Sequence, residues 1–415
     1  MKVMFKNKMR VPAKIWIDDL ANIESSALDQ IELVASQPYV KRLSVMPDVH
    51  TGKGCTIGAV IGTDNALVPN FVGVDIGCGV LFVETDMKAE DVSKEEFHKL
   101  LHQMRRDIPL GFNIRKPDRT CRVLPWLKSN LAVALLEKKS PLDSDWFKYL
   151  KKYSTDRLVE KVEKRLANRY EYTGTLGGNN HFLEIQKNLA GNLCFMIHSG
   201  SRGPGEAIAL AFMHIAKAEN LKYHSNVSNE MEFFPSDTEA GKRYFEAVSW
   251  ATDFAYLNRF TMSEDIIHAL RSMFPDIEIK PSINIHHNYV SLETYGNDTM
   301  WVHRKGATRV DSKTIGLIPG SMGHKSYMVN GTDSQEAMYS CSHGAGRSMS
   351  RTAAKANLSL DDFKAQMDGI VSDDVNEKHL DESPNAYKNI ETVMENQKDL
   401  VNIIDEFTPL ANVKG

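Results

Sequence analysis

Asp75 and Cys78 stand three residues apart in Val72-Gly-Val-Asp75-Ile-Gly-Cys78-Gly79. Three histidine motifs follow: Gly177-Gly-Asn-Asn180-His181, His198-Ser-Gly-Ser-Arg202-Gly and Asn284-Ile-His286-His287-Asn288. A carboxylate, a thiol and several imidazoles make a mixed hard and soft ligand set suited to Mn, Fe, Co or Zn. An isolated Asp-x-x-Cys is more often a turn acid beside a buried thiol, and a lone His more often packs than ligates. The gathering of these groups in glycine-rich segments favours a metal centre. A strand sends residues three apart to opposite faces, so Asp75 and Cys78 can meet one ion only if Gly73, Gly77 and Gly79 bend the chain. Adjacent strand residues also diverge, so only one of His286 and His287 can face that site.

Phosphate chemistry is suggested next. The glycine-rich loop 174–180 ahead of His181 exposes backbone that can approach a phosphate closely. Arg202 is placed to bind an oxyanion. The stretch 316–351 is the most telling: Gly316-Leu-Ile-Pro319-Gly320-Ser321-Met322, then Ser326, then Ser340-Cys-Ser-His343-Gly344-Ala345-Gly346-Arg347 and on to Arg351. Its first half is a glycine turn flanked by hydroxyls, able to cradle phosphate through N–H groups. Its second half reads as a histidine on a Gly-Ala-Gly turn opening a helix, with Arg347 and Arg351 on one helical face. An imidazolium is disfavoured at a helix N-terminus beside arginines, so a neutral His343 is expected, suited to act as nucleophile or ligand. An ordinary surface turn with solvated arginines is the plainer alternative, and it leaves the glycine density unexplained.

These groups need a scaffold. The chain has 415 residues, a formal net charge of -4 at pH 7 and five cysteines. That length permits several domains or one large α/β domain. With this charge, any nucleic-acid site must be a local basic patch. Cys55, Cys78, Cys121, Cys194 and Cys341 form no CxxC pair, and an odd count without a secretory signal points to free thiols. Four of them are expected to act as small hydrophobes, with Cys78 the exception. The start, Met1-Lys-Val-Met-Phe-Lys-Asn-Lys, has no apolar export core, and no apolar run reaches membrane-spanning length. A cytoplasmic protein is expected.

Apolar spacing predicts helices over 18–37, 88–107, 143–168, 205–220 and 238–274. Short apolar runs predict strands over 56–61, 66–68, 80–83, 181–187, 193–198, 281–290, 299–303 and 325–329. From 347 the tail is expected to mix helices with loops. No linker or repeat separates the ligand motifs, which span residues 75 to 343, so one fold must gather them. The expectation is a single α+β domain over 1–415, with central β-sheets gathering the metal ligands and helices packed around them.

Taken together, these segments resemble the RtcB family of RNA ligases. The match runs from Met46-Pro-Asp-Val-His50-x-Gly-Lys-Gly through the Asp75–Cys78 and His-Gly-Ala-Gly-Arg motifs to Lys414-Gly415. It covers nearly the whole chain as six motifs in order. The resemblance implies a GTP- and Mn(II)-dependent ligase that joins RNA 2′,3′-cyclic-phosphate or 3′-phosphate ends to 5′-hydroxyl ends in RNA splicing or repair. It implies Asp75, Cys78, His181, His198 and His287 as ligands of two Mn(II) ions bridged by the Cys78 thiolate; the ligand types alone admit Zn, Co or Fe. It implies His343 as the guanylylated nucleophile. GTP would contact Asn180, His181, Phe182, Leu183, Glu184, His287, Asn288, Pro319, Gly320, Ser321, Met322, Ser326, His343, Gly344, Ala345, Gly346 and Lys414. Arg202, Arg347 and Arg351 would hold RNA phosphates.

On this resemblance, neutral His343 attacks the α-phosphorus of GTP while metal ions neutralise the phosphoryl oxygens. Metal-activated water opens the cyclic phosphate, the guanylyl group passes to the 3′-phosphate, and a 5′-hydroxyl displaces GMP. Asp75 or a metal-bound hydroxide would take the hydroxyl proton. Thr51, Asn179 and Val80 depart from the family's common Leu, Gly and Met, without removing a ligand or the nucleophile. They point to a divergent branch and leave the RNA open among tRNA, ribosomal RNA and message. A Mn-dependent phosphoesterase would need the ligands but not His343, the phosphate-cradling turn or Lys414. A non-catalytic RNA-end or metal-binding protein would need no nucleophile. A monomer with RNA and GTP as partners, and no membrane, is expected.

Overall fold

Two antiparallel-rich sheets meet at the site in this structure, a computed structural model that describes residues 1–116, 140–225 and 227–415. Cys121 lies outside the described residues. One sheet orders Lys2–Met4, Ala13–Ile15, Val40–His50, Ile57–Thr63, Asp298–Lys305 and Asn288–Tyr295. The other orders Ile283–His286, Gly79–Lys88, Asn192–Ser199, Phe182–Lys187, Val401–Lys414, Ser326–Gly331 and Ile315–Ile318. The expected strand over 281–290 is therefore two strands in two sheets, with His287 alone between them. That residue sits on the seam.

Alternation along Phe182–Lys187 and Asn192–Ser199 sends Leu183, Ile185, Phe195 and Ile197 to one face and Phe182, Met196 and His198 to the other. The first face is covered by the helices Lys94–Asp107 and Glu239–Met273 through Leu100, Leu101, Met104, Met262, Ile266 and Leu270. Removing that apolar surface from water is what holds the sheet to its helices. The opposite face packs a smaller apolar cluster, with Val80, Phe82, Phe182, Met196, Leu317 and Phe407, and also carries His198.

Helix boundaries differ from the periodicity for local reasons. Residues 89–91 form a 3-10 turn, and the helix starts at Lys94 because Ser93 and Glu96 close a capping box there. The 18–37 pattern breaks into Leu20–Asn22 and Ser25–Ala35, with Asp19 capping the first piece and Ile23 extended. The 143–168 pattern breaks at Ser154 and Thr155 into Asp145–Tyr153 and Asp156–Ala167. The tail holds one element the pattern hid: Val401–Lys414 is a 14-residue strand inside the seven-stranded sheet. Asp405, Glu406 and Pro409 obscure its alternation. Pro409 sits beside a register shift, where a residue with no N–H to donate is tolerated. The result is the α+β class. Among the described residues, no helix is long and apolar enough to cross a membrane.

Candidate active site

Asp75–Cys78 is a turn ahead of a strand, with the Cys78 N–H donating to Asp75 O at 3.2 Å and Gly77 at φ +71°. A Cβ on Gly77 would also strike Ala255 and Thr252 of the long helix, so this position needs glycine twice over. The bend brings both side chains to one place. Cys78 Sγ lies 3.6 Å from His181 Nε2 and 3.3 Å from His198 Nε2. His198 Nε2 lies 3.2 Å from His287 Nε2, and His181 Nε2 lies 3.0 Å from Asp75 Oδ2. Two triads result, Asp75/Cys78/His181 and Cys78/His198/His287, and Cys78 belongs to both. His286 turns the other way, against Arg259.

The electrostatics fit a divalent cation. His181 Nδ1 lies 2.9 Å from Leu176 O, and His198 Nδ1 lies 3.1 Å from Asn180 O. A carbonyl only accepts, so each ring carries a proton on Nδ1 and turns Nε2 to the cluster, where a cation would take the place of any proton that His181 shares with Asp75. Burial holds His198 and His287 well below the ordinary imidazole range, leaving them neutral donors. Burial opposes ionisation of Asp75, but hydrogen bonding and charge from His181 hold its carboxyl at about 2. Burial, followed by the Asp75 charge, pushes the Cys78 thiol well above the usual thiol range. Such a thiol keeps its proton until a cation replaces it, which suits a metal ligand and disfavours a redox or acylating cysteine.

His343 stands beside this cluster, its ring centroid 4.7 Å from that of His287. The expected helix does not open at His343: Ser350 caps a helix that begins at Arg351, and His343–Gly346 is a turn. Arg347 precedes that helix and shares no face with Arg351. The group that governs His343 is instead Asp48, fully buried, whose Oδ2 accepts the His343 backbone N–H at 3.0 Å and lies 2.6 Å from Nδ1. That carboxylate keeps the proton on Nδ1 and leaves Nε2 as the ring nitrogen with a free lone pair. Gly346, at φ +73°, backs onto the Asp48 carbonyl with no room for a Cβ. The sequence carries a signal for Asp48, an acid inside the apolar run Val45–Val49.

His343 opens into a cavity of about 450 Å³, within the range of small-ligand sites. Asn180, Phe182, Glu184, Pro319, Gly320, Ser321, Met322, Gly344, Ala345, Gly346 and Lys414 line it, together with the unforeseen Glu24, Asn412 and Tyr387. Leu183 does not: strand alternation turns its side chain into the helix-covered core. Ser326 lies beneath the Gly320 turn, its Oγ accepting the Gly320 N–H at 3.1 Å. Asn288 braces the metal turn, donating to Asp75 O at 3.1 Å and accepting the Gly306 N–H at 2.7 Å. His181 and His287 belong to the two triads that could hold a metal ion.

Burial raises the Glu184 carboxyl from 4.5 to about 8. The folded chain then binds this proton more tightly than the unfolded chain. Its contribution to stability is full below about 4.5 and is lost as the pH rises through about 8. Glu184→Gln is expected to flatten the fall in Tm across that window, removing up to about 5 kcal/mol of pH dependence. A Tm profile with the parent's slope would refute this.

A second space, a groove of about 990 Å³, shares Asn180, Arg351 and Lys414 with the cavity and reaches Asp75 and His181. Arg105, Arg165, Arg202, Lys355 and Lys378 line it together with the acids Glu206, Asp374, Asp381 and Glu382, so its charge is mixed, with Arg105 paired to Asp374 and Lys355 to Asp381. Arg202 is held by Thr175 Oγ1 at 3.2 Å and Gly111 O at 2.8 Å. Arg351 faces both spaces and pairs with Asp381 at 2.7 Å and with Glu382. Arg347 lines the cavity instead of the groove, tied to Asp381 O at 2.6 Å and set over the Tyr387 ring. Lys414 Nζ meets Glu382 Oε2 at 2.6 Å, so Glu382 anchors the wall between the two spaces.

The model of the tRNA-splicing ligase RtcB family matches residues 30–415. The chain belongs to the RtcB family. RNA-splicing ligase RtcB of Escherichia coli K12 is 37% identical over 413 residues, covering 97% of each chain. tRNA-splicing ligase RtcB of Methanococcus maripaludis is 28% identical and covers 100% of this chain and 97% of its own. The Thermococcus kodakarensis protein of the same name is 29% identical, covering 99% and 96%. RtcB membership thus spans both sheets and every segment of the site.

Proposed function

We propose that this RtcB-family chain is a GTP- and Mn(II)-dependent RNA ligase that joins 2′,3′-cyclic-phosphate or 3′-phosphate ends to 5′-hydroxyl ends. One observation carries the reading: a histidine oriented by a buried carboxylate stands between a nucleotide-sized cavity and a five-donor metal cluster. A phosphoesterase would use the cluster but has no need of such a histidine. The reading takes residues 1–415 as one catalytic domain acting as a cytoplasmic monomer, with RNA and GTP as partners.

In the cavity, Glu184 and Lys414 lie on neighbouring strands, Lys414 paired opposite Phe182 and Asn412 opposite Glu184. A guanine edge offers N–H donors at N1 and N2 and an acceptor at O6; the Lys414 ammonium matches the acceptor, and the Glu184 carboxyl matches the donors once the two N–H groups displace its proton. The Phe182 ring, 5.5 Å from the Lys414 ammonium, gives the base a flat neighbour. The Pro319–Met322 and His343–Gly346 turns would hold the phosphates. Asp75, Cys78, His181, His198 and His287 would hold the metal ions, which when bound supply charge neutralisation at the phosphoryl oxygens.

His343 Nε2 then attacks the α-phosphorus of GTP; the P–N bond forms as the P–O bond to pyrophosphate breaks. Asp48 keeps Nδ1–H in place and offsets the charge that develops on the ring. The guanylyl group passes from His343 to an RNA 3′-phosphate in the adjoining groove, where Arg202 and Arg351 face it. A 5′-hydroxyl oxygen attacks that phosphate and GMP leaves. Cavity and groove meet at Asn180, Arg351 and Lys414, which brings the RNA end beside the loaded histidine.

The test is incubation with GTP and Mn(II), followed by mass spectrometry for a GMP adduct on His343 and by assay of RNA sealing. Hydrolysis of a cyclic-phosphate RNA with no adduct would sink ligation in favour of a phosphoesterase. Asp48→Asn preserves shape but not the tautomer control, so adduct formation is expected to slow by about 10²-fold or more, with metal content unchanged. A parent-like rate in that variant would remove Asp48 from the mechanism.

A further inference from the structure

The Glu239–Met273 helix reaches all the segments that carry the metal-ligating side chains, and it does so through two buried neighbours near its middle. Arg259 is fully buried. Its NH1 donates to Gly77 O at 2.9 Å and to Ser199 O at 2.8 Å, its Nε to Asn284 Oδ1 at 2.8 Å and its NH2 to His286 Nδ1 at 3.0 Å. Gly77 precedes Cys78, Ser199 follows His198, and His286 precedes His287. Asn258 takes the remaining segment. Its Oδ1 accepts the Thr175 N–H at 2.9 Å, and its Nδ2 donates to Thr175 O at 3.0 Å and to Gly200 O at 3.1 Å. The next carbonyl along, Leu176 O, is the one that orients His181.

Helix packing alone does not call for these residues. Apolar side chains on the same helix already seal the sheet face, and burying a guanidinium is costly unless its donors are matched. Here they are matched by acceptors that each lie one residue from a ligand, or in the case of Asn284 three residues away. The fork is rigid and planar, so it fixes the spacing of the segments it bridges in a way that one ammonium on a flexible stem does not. Its charge lies behind the donor atoms and not among them.

We propose that Arg259, with Asn258, is a positioning residue of the metal centre: it locks the Cys78, His198 and His287 segments at the separation that divalent cation binding needs. This rests on the metal-centre reading above. Partners that orient metal ligands from behind typically alter metal affinity by about 10- to 100-fold when changed, and that is the effect expected here.

The test uses the full chain with Arg259→Met and Arg259→Lys. Mn(II) affinity is measured by calorimetry, thermal melting reports the fold, and Co(II) substitution reports Cys78 through its thiolate-to-cobalt charge-transfer band. Arg259→Lys should melt cooperatively, bind Mn(II) about 10- to 100-fold more weakly and show a weakened or displaced band. Parent-like affinity with an unchanged band overturns the proposal, and so does a lowered Tm with metal binding intact, the signature of a purely structural role. Should neither Arg259 variant fold, Asn258→Ser carries the same readings through the His181 loop. A parent chain that takes up neither ion defeats the metal-centre reading and this inference with it; equal binding by parent and variants defeats this inference alone.

Discussion

His343→Ala is expected to bind Mn(II) like the parent chain and to form no GMP adduct at all. The two halves of that outcome have separate causes. His343 belongs to neither ligand triad, so its ring can be removed without taking a donor from the cluster. Its Nε2 is the free imidazole nitrogen at the cavity, because Asp48 occupies Nδ1. No neighbouring group can substitute: with Mn(II) bound, the Cys78 sulfur and the His198 and His287 lone pairs would all be taken up by the metal cluster. Loss of a covalent nucleophile removes the route and not just a contact, so sealing should fall by at least about 10³-fold. Intact-mass spectrometry after incubation with GTP reads the adduct, and elemental analysis reads the metal. Persistence of a full adduct would move the nucleophile elsewhere, and loss of metal would make His343 a ligand. Adding Asp48→Asn to His343→Ala should change nothing further, because a residue that acts through His343 has no effect once the ring is gone.

The part of this site that was legible in the sequence is the part written in residue type. Asp75, Cys78, His181, His198 and His287 are chemically conspicuous among glycines, and the structure gathers all five. The bend at Gly77 and the divergence of His286 from His287 follow from backbone geometry, and both hold. What stayed hidden depends on contacts between distant segments. Asp48 lies 295 residues from His343 in the chain, and nothing local says that they touch. Arg259 looks like any cation in a helix until the helix is laid on the sheet. The Gly-Ala-Gly turn after His343 suggests a helix start, but the hydroxyl that caps the helix is that of Ser350, seven residues on. Long helices were readable because one stripe of each is buried. The Val401–Lys414 strand was not, since its charges and proline mask a period of two while the sheet on either side supplies the pairing.

Cys78→Ala is expected to lose both metal ions together, and with them guanylylation and sealing. The thiol is the one donor common to the two triads, so its removal leaves Asp75 with His181 on one side and His198 with His287 on the other. Two donors apiece are too few for a stable site, and a methyl group cannot bridge two cations. His287→Ala provides the contrast: it strips one triad and should leave the Asp75/Cys78/His181 triad able to hold an ion. Stoichiometry by elemental analysis separates the cases, with the cysteine variant near zero and the histidine variant near half the parent's content. Loss of fold is excluded by a second reading. Without metal, the Cys78 thiol is a small, protonated, buried group, and alanine replaces it with little change in packing, so the metal-free Tm should stay close to the parent's. Added Mn(II) raises the parent's Tm by binding only the folded chain, and Cys78→Ala should show no such rise. If that variant keeps one ion and half the rise, Cys78 serves a single metal and the bridge does not exist.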